Sequence, residues 1–191
     1  MGSGKTTVAH LLRRRGVAVL DADKIAHTFL APQTACFRRL IKYFGATILK
    51  QGCIDRRALA EIVFNDPQSL RTLSSIIHPE VIKDIKRQIR IYRRPKAKIL
   101  VVIDAPLLFE AGLHTLCDGV VVVCATKNKQ IKRIQKRSGL TPREILKRIK
   151  AQMPITEKIA RADFVIDNQG PINQTKKQVE ELWQRLVTTK K

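Results

Sequence analysis

The sequence has few aromatic residues and no long apolar run. Aromatic side chains make up 5% of its 191 residues, against 44% hydrophobic residues in all, so the core of one domain with insertions must be mainly aliphatic. The absence of an apolar run of about 18 residues argues against a membrane-spanning helix, and the first residues do not resemble a signal sequence. A soluble, cytoplasmic protein with no membrane partner is therefore expected.

Cysteines are few and scattered. Cys36, Cys53, Cys117 and Cys124 form no Cys-x-x-Cys pair and no set of cysteine and histidine pairs at metal-ligand spacing. This spacing argues against a zinc site and against a redox-active pair. Buried free thiols are the expected state of these side chains.

Acidic residues are also scarce, since 16 of them stand against 37 lysines and arginines, which gives a net charge of +21. The segment from Lys127 to Arg161 carries twelve basic residues and two acidic ones, and a second basic cluster runs from Lys83 to Lys98. This charge favours a polyanionic partner. Neither cluster has the interleaved aromatic residues, the helix-turn-helix pattern or the zinc pattern of nucleic-acid-binding domains. A basic lobe over a small polyanionic ligand explains the charge at least as well, and no specific nucleic acid is expected as a partner.

Continuous β-branched runs alternate with amphipathic segments, which indicates an α/β domain with a parallel sheet covered on both faces. Buried strands are predicted at 17–20, 99–103 and 119–124, with a shorter one at 164–166. Helices are predicted at 8–15, 25–30, 32–49, 56–64, 67–76, 79–92, 129–136, 142–152 and 174–187. Two helix starts carry typical capping signals, Asp66-Pro67 and Thr141-Pro142 with Glu144, and the nearest feature to a domain boundary is Pro95.

The first residues, Gly2-Ser3-Gly4-Lys5-Thr6-Thr7, match the second half of the phosphate-binding loop pattern Gly-x4-Gly-Lys-Ser/Thr. Small residues leave backbone N–H groups free to approach phosphate oxygens, Lys5 can reach the β- and γ-phosphates, and the Thr6 hydroxyl can coordinate Mg²⁺. A helix that begins here adds the positive end of its dipole. A flexible polar N-terminus has the same composition, but the helix and strand patterns that follow favour the loop.

Acidic residues follow two of the predicted strands, at the edge where open α/β sheets bind ligands. Asp21 and Asp23 face the same side of an extended segment, so one can accept a proton from an attacking hydroxyl while the other organises Mg²⁺ or a basic neighbour. Asp104 ends the next strand, as a Walker B carboxylate does when it holds Mg²⁺ through water. A strand-ending and helix-capping role for Asp21 and Asp23 is the alternative.

Three apolar residues after Asp104 and one histidine each have a functional and a structural interpretation. Leu107, Leu108 and Phe109 can form the wall of a substrate pocket or belong to the core. His78 precedes Pro79 at a predicted helix start, where a lone histidine is usually structural.

Arginines in the basic segment can contact phosphates. Arg133, Arg137 and Arg148, with Lys136, have spacings that place several cationic groups on one side. A guanidinium suits bidentate phosphate contacts and can stabilise charge on a transferred γ-phosphoryl group. A solvated basic face is the alternative, although acidic counter-charges are missing.

The residues discussed above belong to short sequence motifs, and the order of these motifs along nearly the whole chain resembles that of the dephospho-coenzyme A kinase family. The phosphate loop alone specifies a nucleotide-binding protein, whereas the later strings are far more specific. They are Asp21-Ala22-Asp23-Lys24-Ile25-Ala26, Ile54-Asp55-Arg56, Val63-Phe64 to Asp66-Pro67, Ile77-His78-Pro79, Asp104-Ala105-Pro106-Leu107-Leu108-Phe109-Glu110, Arg148-Ile149 with Gln152-Met153-Pro154, and Ala162-Asp163 to Asp167-Asn168. Ala105 stands where the family often has a branched aliphatic residue.

The resemblance implies a three-layer P-loop kinase fold with a parallel sheet core, a helical substrate-binding insertion and a helical lid. The nucleotide-binding core is expected at 1–26, 95–127 and 162–191, the coenzyme-A-binding insertion at 27–94 and the lid at 128–161. The implied reaction is ATP-dependent phosphorylation of the ribose 3′-hydroxyl of 3′-dephospho-coenzyme A, the last step of coenzyme A biosynthesis. A kinase of another small acceptor, or a basic nucleic-acid-binding protein with a degenerate loop, is the alternative.

The resemblance also implies roles for individual residues. Asp23 resembles the general base, and Arg137 resembles the lid residue that closes over ATP. Residues 2–7 resemble the ATP loop, with Lys5 on ATP and Thr6 on Mg²⁺. Asp104 is expected to hold the same ion from its place at a strand end, as a Walker B carboxylate does. The residues that resemble the family's acceptor-binding side are Arg56, His78 and the wall formed by Leu107, Leu108 and Phe109.

The first half of the loop is the main departure from the family pattern. The first glycine of the pattern would lie two residues upstream of Met1, and the family's first strand further upstream still. Without that central strand, its neighbours in the sheet would lack a partner and the loop would lose about half of its N–H groups. A chain that begins roughly ten residues earlier is therefore expected, and the activity of the 191-residue chain is a separate question.

Overall fold

Helices and short strands alternate along the residues described by this computed structural model, which are 1–93 and 99–188. The helices are α1 (Lys5–Arg13), α2 (Ala22–Thr28), α3 (Ala35–Phe44), α4 (Arg56–Asn65), α5 (Pro67–Tyr92), α6 (Lys127–Ser138), α7 (Pro142–Lys150), α8 (Ile155–Ala160) and α9 (Ile172–Thr188). The strands are β1 (Ala18–Asp21), β2 (Leu49–Lys50), β3 (Cys53–Ile54), β4 (Val101–Asp104), β5 (Val121–Cys124) and β6 (Phe164–Asp167). Short 3₁₀ helices lie at Ala46–Ile48 and Leu113–Leu116. The predicted α/β class is confirmed.

The chain divides into two units. Unit 1 consists of Met1–Val19 and Ile99–Lys191, and unit 2 is Leu20–Lys98. Unit 1 contains α1, β4 to β6 and α6 to α9, whereas unit 2 contains α2 to α5 and the strands β2 and β3. The division into core, insertion and lid stays a prediction, and its expected boundary at Pro95 lies outside the described residues.

The core of unit 1 forms where α1 and α9 pack on the strands. Helix α1 contributes Val8 and Leu12, four residues apart and therefore on one face. Helix α9 contributes Val179 and Leu182, and the strands contribute side chains such as Ile166, which is fully buried. As the composition predicts, this core is mainly aliphatic.

Strands β5 and β6 form a parallel pair, in which Val121 aligns with Phe164 and Cys124 with Asp167. Strand β4 pairs with β1, and within unit 1 the N–H of Ala18 donates to the carbonyl of Leu100 at 3.0 Å. The sequence predicts a parallel sheet core that lacks its central first strand, and in the described residues these pairs are separate two-stranded sheets.

The prediction of a fully buried strand at 99–103 is wrong. All four residues of β4 are half-buried, and Ile99, which precedes the strand, is 41% exposed. A strand that belongs to a two-stranded sheet has one edge without a strand neighbour, so its apolar side chains are covered less completely than in the interior of a wide sheet.

Helix α5 organises unit 2, because α2, α3 and α4 all pack against it. Its buried face includes Ile77, Val81 and Ile85, spaced four residues apart. A hairpin of β2 and β3, not predicted from the sequence, pairs Leu49 with Ile54 across a tight turn at Gln51 and Gly52. Positive φ at both turn residues is typical of a two-residue hairpin loop.

The prediction of two helices with a break at His78-Pro79 is also wrong, because Pro79 lies inside the continuous helix α5. Proline cannot donate the hydrogen bond that would reach the carbonyl of Ser75, yet the buried residues Ile77 and Val81 on either side keep the apolar face continuous. Packing of that face outweighs the local cost of the proline.

The predicted capping signals are confirmed. Asp66 accepts from the N–H groups of Gln68 and Ser69 at the start of α5, and Thr141 forms a capping box with Glu144 at the start of α7.

All four cysteines are free, as predicted. The prediction that all are buried holds only for Cys36, since Cys117 and Cys124 are half-buried and Cys53 is exposed in the hairpin. Burial raises the pKa of the Cys36, Cys117 and Cys124 thiols, which keeps them protonated.

Candidate functional site

The glycine-rich loop enters α1 through a left-handed residue. Gly4 has φ 97° and ψ 20°, and the N–H of Thr7 donates to its carbonyl at 3.0 Å as the helix begins. Gly2 also has a positive φ of 71°, and a Cβ atom at this position would lie 2.8 Å from the carbonyl oxygen of Gln130. Both glycines are therefore needed for backbone conformation and close packing.

The carbonyl of Ser3 is held by two side chains from distant parts of unit 1. Asn168 Nδ2 donates to it at 2.7 Å, and Arg133 Nη1 donates at 3.3 Å. Ser3 itself is 6% exposed, so the centre of the loop is buried. The loop is thus fixed against both β6 and α6, and does not behave as a flexible terminus.

A cavity of about 490 Å³ adjoins the loop within unit 1. Its cationic border includes Lys5 of the loop, and its walls are largely apolar. The lining includes Ser3, Lys5, Leu108, Phe109, Val120, Val121, Val122, Val123, Lys127, Lys150 and Lys158. A cavity of this kind suits a ligand with both anionic and apolar parts.

The residues predicted for phosphate and metal contacts lie at the ends of elements in unit 1. Lys5 is half-buried at the start of α1, whereas Thr6 and Thr7 are exposed in the first turn. Asp104 is the last residue of β4 and is half-buried. In the described part of the chain, no three histidine, cysteine or acidic side chains come together in a way that could hold a metal ion.

The string after β4 is tied to the segment before and within α8. Glu110 Oε1 accepts from the backbone N–H of Met153 at 2.8 Å and pairs with Lys158 Nζ at 2.8 Å. Lys158 Nζ also donates to the carbonyl of Pro106 at 2.9 Å. Of the predicted apolar wall, Phe109 is buried and borders the cavity with Leu108, while Leu107 is half-buried.

The predicted acid–base residues lie in unit 2. Asp21 caps α2 by accepting from the N–H of Lys24 at 3.0 Å, which is the structural alternative considered for it. Asp23 is exposed in the first turn of the same helix. Capping occupies the Asp21 side chain, so Asp23 is the better candidate for proton transfer.

Asp23 and Arg56 both influence the pKa of His27. Burial and the nearby Arg56 guanidinium lower the pKa of His27, while Asp23 and Asp21 oppose the shift. Arg56 is exposed at the first position of α4, and His78 is half-buried in the middle of α5. Asp23 and Arg56 therefore both lie within electrostatic range of His27, which sequence reasoning missed.

In the basic segment, Arg133 and not Arg137 reaches the loop. Arg137 is exposed one turn further along α6. Sequence reasoning also missed Asn168, although it follows β6 directly, as Asp104 ends β4. The rule that polar residues at strand ends face ligands would have found it.

Comparisons with known proteins agree along almost the whole chain. The family model for dephospho-CoA kinase matches residues 1–174. A dephospho-CoA kinase of Symbiobacterium thermophilum is 44% identical over 184 residues, which cover 96% of this chain and 77% of that protein.

Within the described residues, every helix is too short or too polar to span a bilayer.

Solved structures are also similar to this chain. The crystal structure of TT1252 from Thermus thermophilus has a TM-score of 0.79 at 36% identity, and covers 97% of this chain and 93% of that one. A dephospho-CoA kinase from Campylobacter jejuni has a TM-score of 0.71 at 28% identity, over 100% of this chain and 95% of that one. The chain belongs to the dephospho-CoA kinase family.

Proposed function

We propose that this protein transfers the γ-phosphoryl group of ATP to the ribose 3′-hydroxyl of dephospho-CoA, giving CoA and ADP in the last step of CoA biosynthesis. The observation that carries this proposal is the family match over residues 1–174, which extends through the loop, the aspartate string and the string after β4.

Residues 2–7 are proposed to bind the phosphates of ATP. The contacts of the loop support this assignment, since Asn168 and Arg133 hold the carbonyl of the buried Ser3 and Gly4 has a left-handed conformation before α1 begins. Backbone N–H groups at a helix start attract anions, and Lys5 adds a full positive charge beside the cavity. These groups orient the triphosphate for in-line attack.

Thr6 and Asp104 are proposed to hold Mg²⁺ together with phosphate oxygens and water. A hydroxyl and one carboxylate fit this ion, because Mg²⁺ in kinases is usually bound by one or two protein oxygens plus the substrate phosphates. The described residues contain no all-protein cage of three or more ligands that would favour another arrangement. The bound ion neutralises charge on the transferred phosphoryl group.

Asp23 is proposed to accept the proton of the attacking hydroxyl. Its carboxylate is exposed at the start of α2 and is not the residue that caps this helix. Arg56 and His78, also in unit 2, are proposed to contact the acceptor. Leu107, Leu108 and Phe109 are proposed to pack against its apolar part, and Arg137 to stabilise the charge of the transferred group.

The test is ADP release with dephospho-CoA as the acceptor. Asp23→Asn should lower kcat by about 10²–10⁴-fold, the usual contribution of a general base, while the Kd for ATP stays unchanged. Asp84→Asn makes the same substitution on α5 of unit 2 and should keep full activity. Wild-type activity in the Asp23→Asn variant would exclude Asp23 as the base.

An acceptor panel separates this reaction from that of another P-loop kinase. Nucleosides, nucleotides and small alcohols should release ADP far more slowly than dephospho-CoA under the same conditions. A faster acceptor in the panel would replace dephospho-CoA as the substrate while leaving the ATP site in place.

A further inference from the structure

Asn168 is a buried polar residue at the junction of β6 and the loop. It follows Asp167, the last residue of β6, and is 6% exposed. Its backbone N–H donates to the carbonyl of Cys124 at 2.9 Å, which continues the pairing of β5 with β6. The position of Asn168 is therefore set by the sheet of unit 1.

Both ends of the Asn168 side chain have specific partners. Nδ2 donates to the Ser3 carbonyl at 2.7 Å, and Oδ1 accepts from Thr175 Oγ1 at 2.9 Å. Thr175 is fully buried in α9. Since a carbonyl oxygen can only accept, the contact with Ser3 requires the amide nitrogen on that side, and the Thr175 hydroxyl satisfies the oxygen.

Arg133 reinforces the same arrangement from α6. Its Nη1 donates to the Ser3 carbonyl at 3.3 Å and its Nη2 donates to the backbone carbonyl of Asn168 at 3.1 Å. One guanidinium thus bridges the loop and the residue that holds it. The Ser3 carbonyl has two donors and is turned towards Asn168 and Arg133.

The orientation of the Ser3 carbonyl also determines the orientation of the next N–H group. The peptide between Ser3 and Gly4 is trans, as are the other described peptide bonds. In a planar trans peptide the N–H points opposite to the C=O. The N–H of Gly4 is therefore directed away from Asn168 and Arg133.

We propose that Asn168 is a positioning residue for the ATP site: by holding the Ser3 carbonyl, with Thr175 and Arg133 in support, it keeps the Gly4 N–H available to a phosphate oxygen. This role rests on the proposed function of residues 2–7 as the phosphate loop. It also accounts for glycine at position 4, because a Cβ atom there would overlap Asn168 Nδ2.

The test uses two nearly isosteric substitutions. Asn168→Asp keeps an acceptor for Thr175 but cannot donate to Ser3 when ionised, and Thr175→Val removes the hydroxyl that holds the amide in place. We expect the Kd for ATP, measured by calorimetry, to rise about tenfold or more in Asn168→Asp and less in Thr175→Val. The KM for ATP should rise in parallel, while the KM for dephospho-CoA stays within about twofold.

Val179→Ala is the control for a purely structural effect. Val179 is a fully buried residue on the same helix as Thr175, so the variant lowers the unfolding midpoint without touching the loop. Its Kd for ATP, measured well below that midpoint, should equal the wild-type value. A second readout is the Gly4 amide resonance, which should shift on ATP addition in the wild type and shift less in Asn168→Asp.

Three results would overturn the proposal. Wild-type ATP affinity in Asn168→Asp would show that the contact with Ser3 does not serve binding. An equal loss of affinity in Val179→Ala would assign the effect to stability. Absence of ATP binding by the wild-type protein would reject the loop as the ATP site, and the role of Asn168 with it.

Discussion

Gly4 lies where the loop turns into α1, and no side chain separates its backbone from Asn168. Its φ of 97° is in the left-handed region, and a Cβ atom would overlap the amide nitrogen of Asn168. The residue is therefore constrained twice, by conformation and by the space that Asn168 occupies. These two constraints can be separated experimentally.

We predict that Gly4→Ala abolishes measurable ATP binding, because the loop must shift to relieve the overlap. Gly16→Ala is the matched control, since Gly16 has a φ of 81° but open space around the position of its Cβ atom. Both variants should lose about 1–2 kcal/mol of unfolding free energy from the left-handed conformation. Equal ATP affinity of the two variants, measured by calorimetry, would contradict the prediction.

At the scale of elements, α5 shows packing that overrides a local signal. Pro79 leaves the Ser75 carbonyl without its helical donor, while the buried face continues through Ile77 and Val81. Pro67 is at the first position of the same helix, where a missing N–H has no cost. One helix thus contains an unfavourable and a favourable proline.

Replacing the internal proline should therefore stabilise the protein. We predict that Pro79→Ala raises the free energy of unfolding by about 1–3 kcal/mol, since it restores a hydrogen bond and removes a steric conflict. Pro67→Ala should give no gain. Urea denaturation of both variants measures the difference, and a lower midpoint for Pro79→Ala would show that the proline is required by its surroundings.

The start of α5 also gives the protein a defined response to acid. Hydrogen bonds from the Ser69 hydroxyl and from the N–H groups of Ser69 and Gln68 lower the pKa of Asp66. A carboxylate whose pKa is lower in the folded state contributes stability above the unfolded pKa of about 3.9, and this contribution is lost as the pH falls through the folded pKa.

Asp66→Asn tests this contribution, because asparagine also caps helices but does not ionise. We predict that the unfolding temperature of the wild type exceeds that of Asp66→Asn near pH 6, and that the difference shrinks as the pH falls below about 4. Thermal unfolding at a series of pH values measures it. A difference that is constant with pH would show that the ionised carboxylate contributes nothing at this cap.

At the scale of the whole molecule, the net charge of +21 exceeds what a single triphosphate requires. Nothing in the described structure gives this charge a role in recognising a nucleotide sequence. Its clusters contain one aromatic residue, Tyr92, and not an interleaved series of stacking groups. Binding to nucleic acids should then be electrostatic and independent of sequence.

We predict that duplex DNA binds weakly at low salt, with equal affinity for unrelated sequences, and that affinity falls at least about tenfold between about 50 and 200 mM salt. Fluorescence anisotropy with two unrelated oligonucleotides measures this. The Kd for ATP, measured over the same salt range, is the internal reference. A preference for one oligonucleotide that persists at the higher salt would favour a specific nucleic-acid partner.

The sequence alone determined the α/β class, the family resemblance and most helices, because amphipathic spacing, β-branched runs and capping residues act over a few neighbouring positions. Asp66, Thr141 and the helix after Lys5 were identified in this way. The roles expected for Asp23, Arg137 and His78 rest on the resemblance and stay predictions.

Tertiary structure decided what depends on residues far apart in the chain. Asn168 contacts Ser3 across 165 positions, and no local pattern encodes which strand end meets the loop. Packing of its apolar face keeps α5 continuous at Pro79. Pairing in a two-stranded sheet leaves β4 half-buried despite its hydrophobic sequence. Local propensities are modest in free energy, so long-range packing and hydrogen bonds decide such cases.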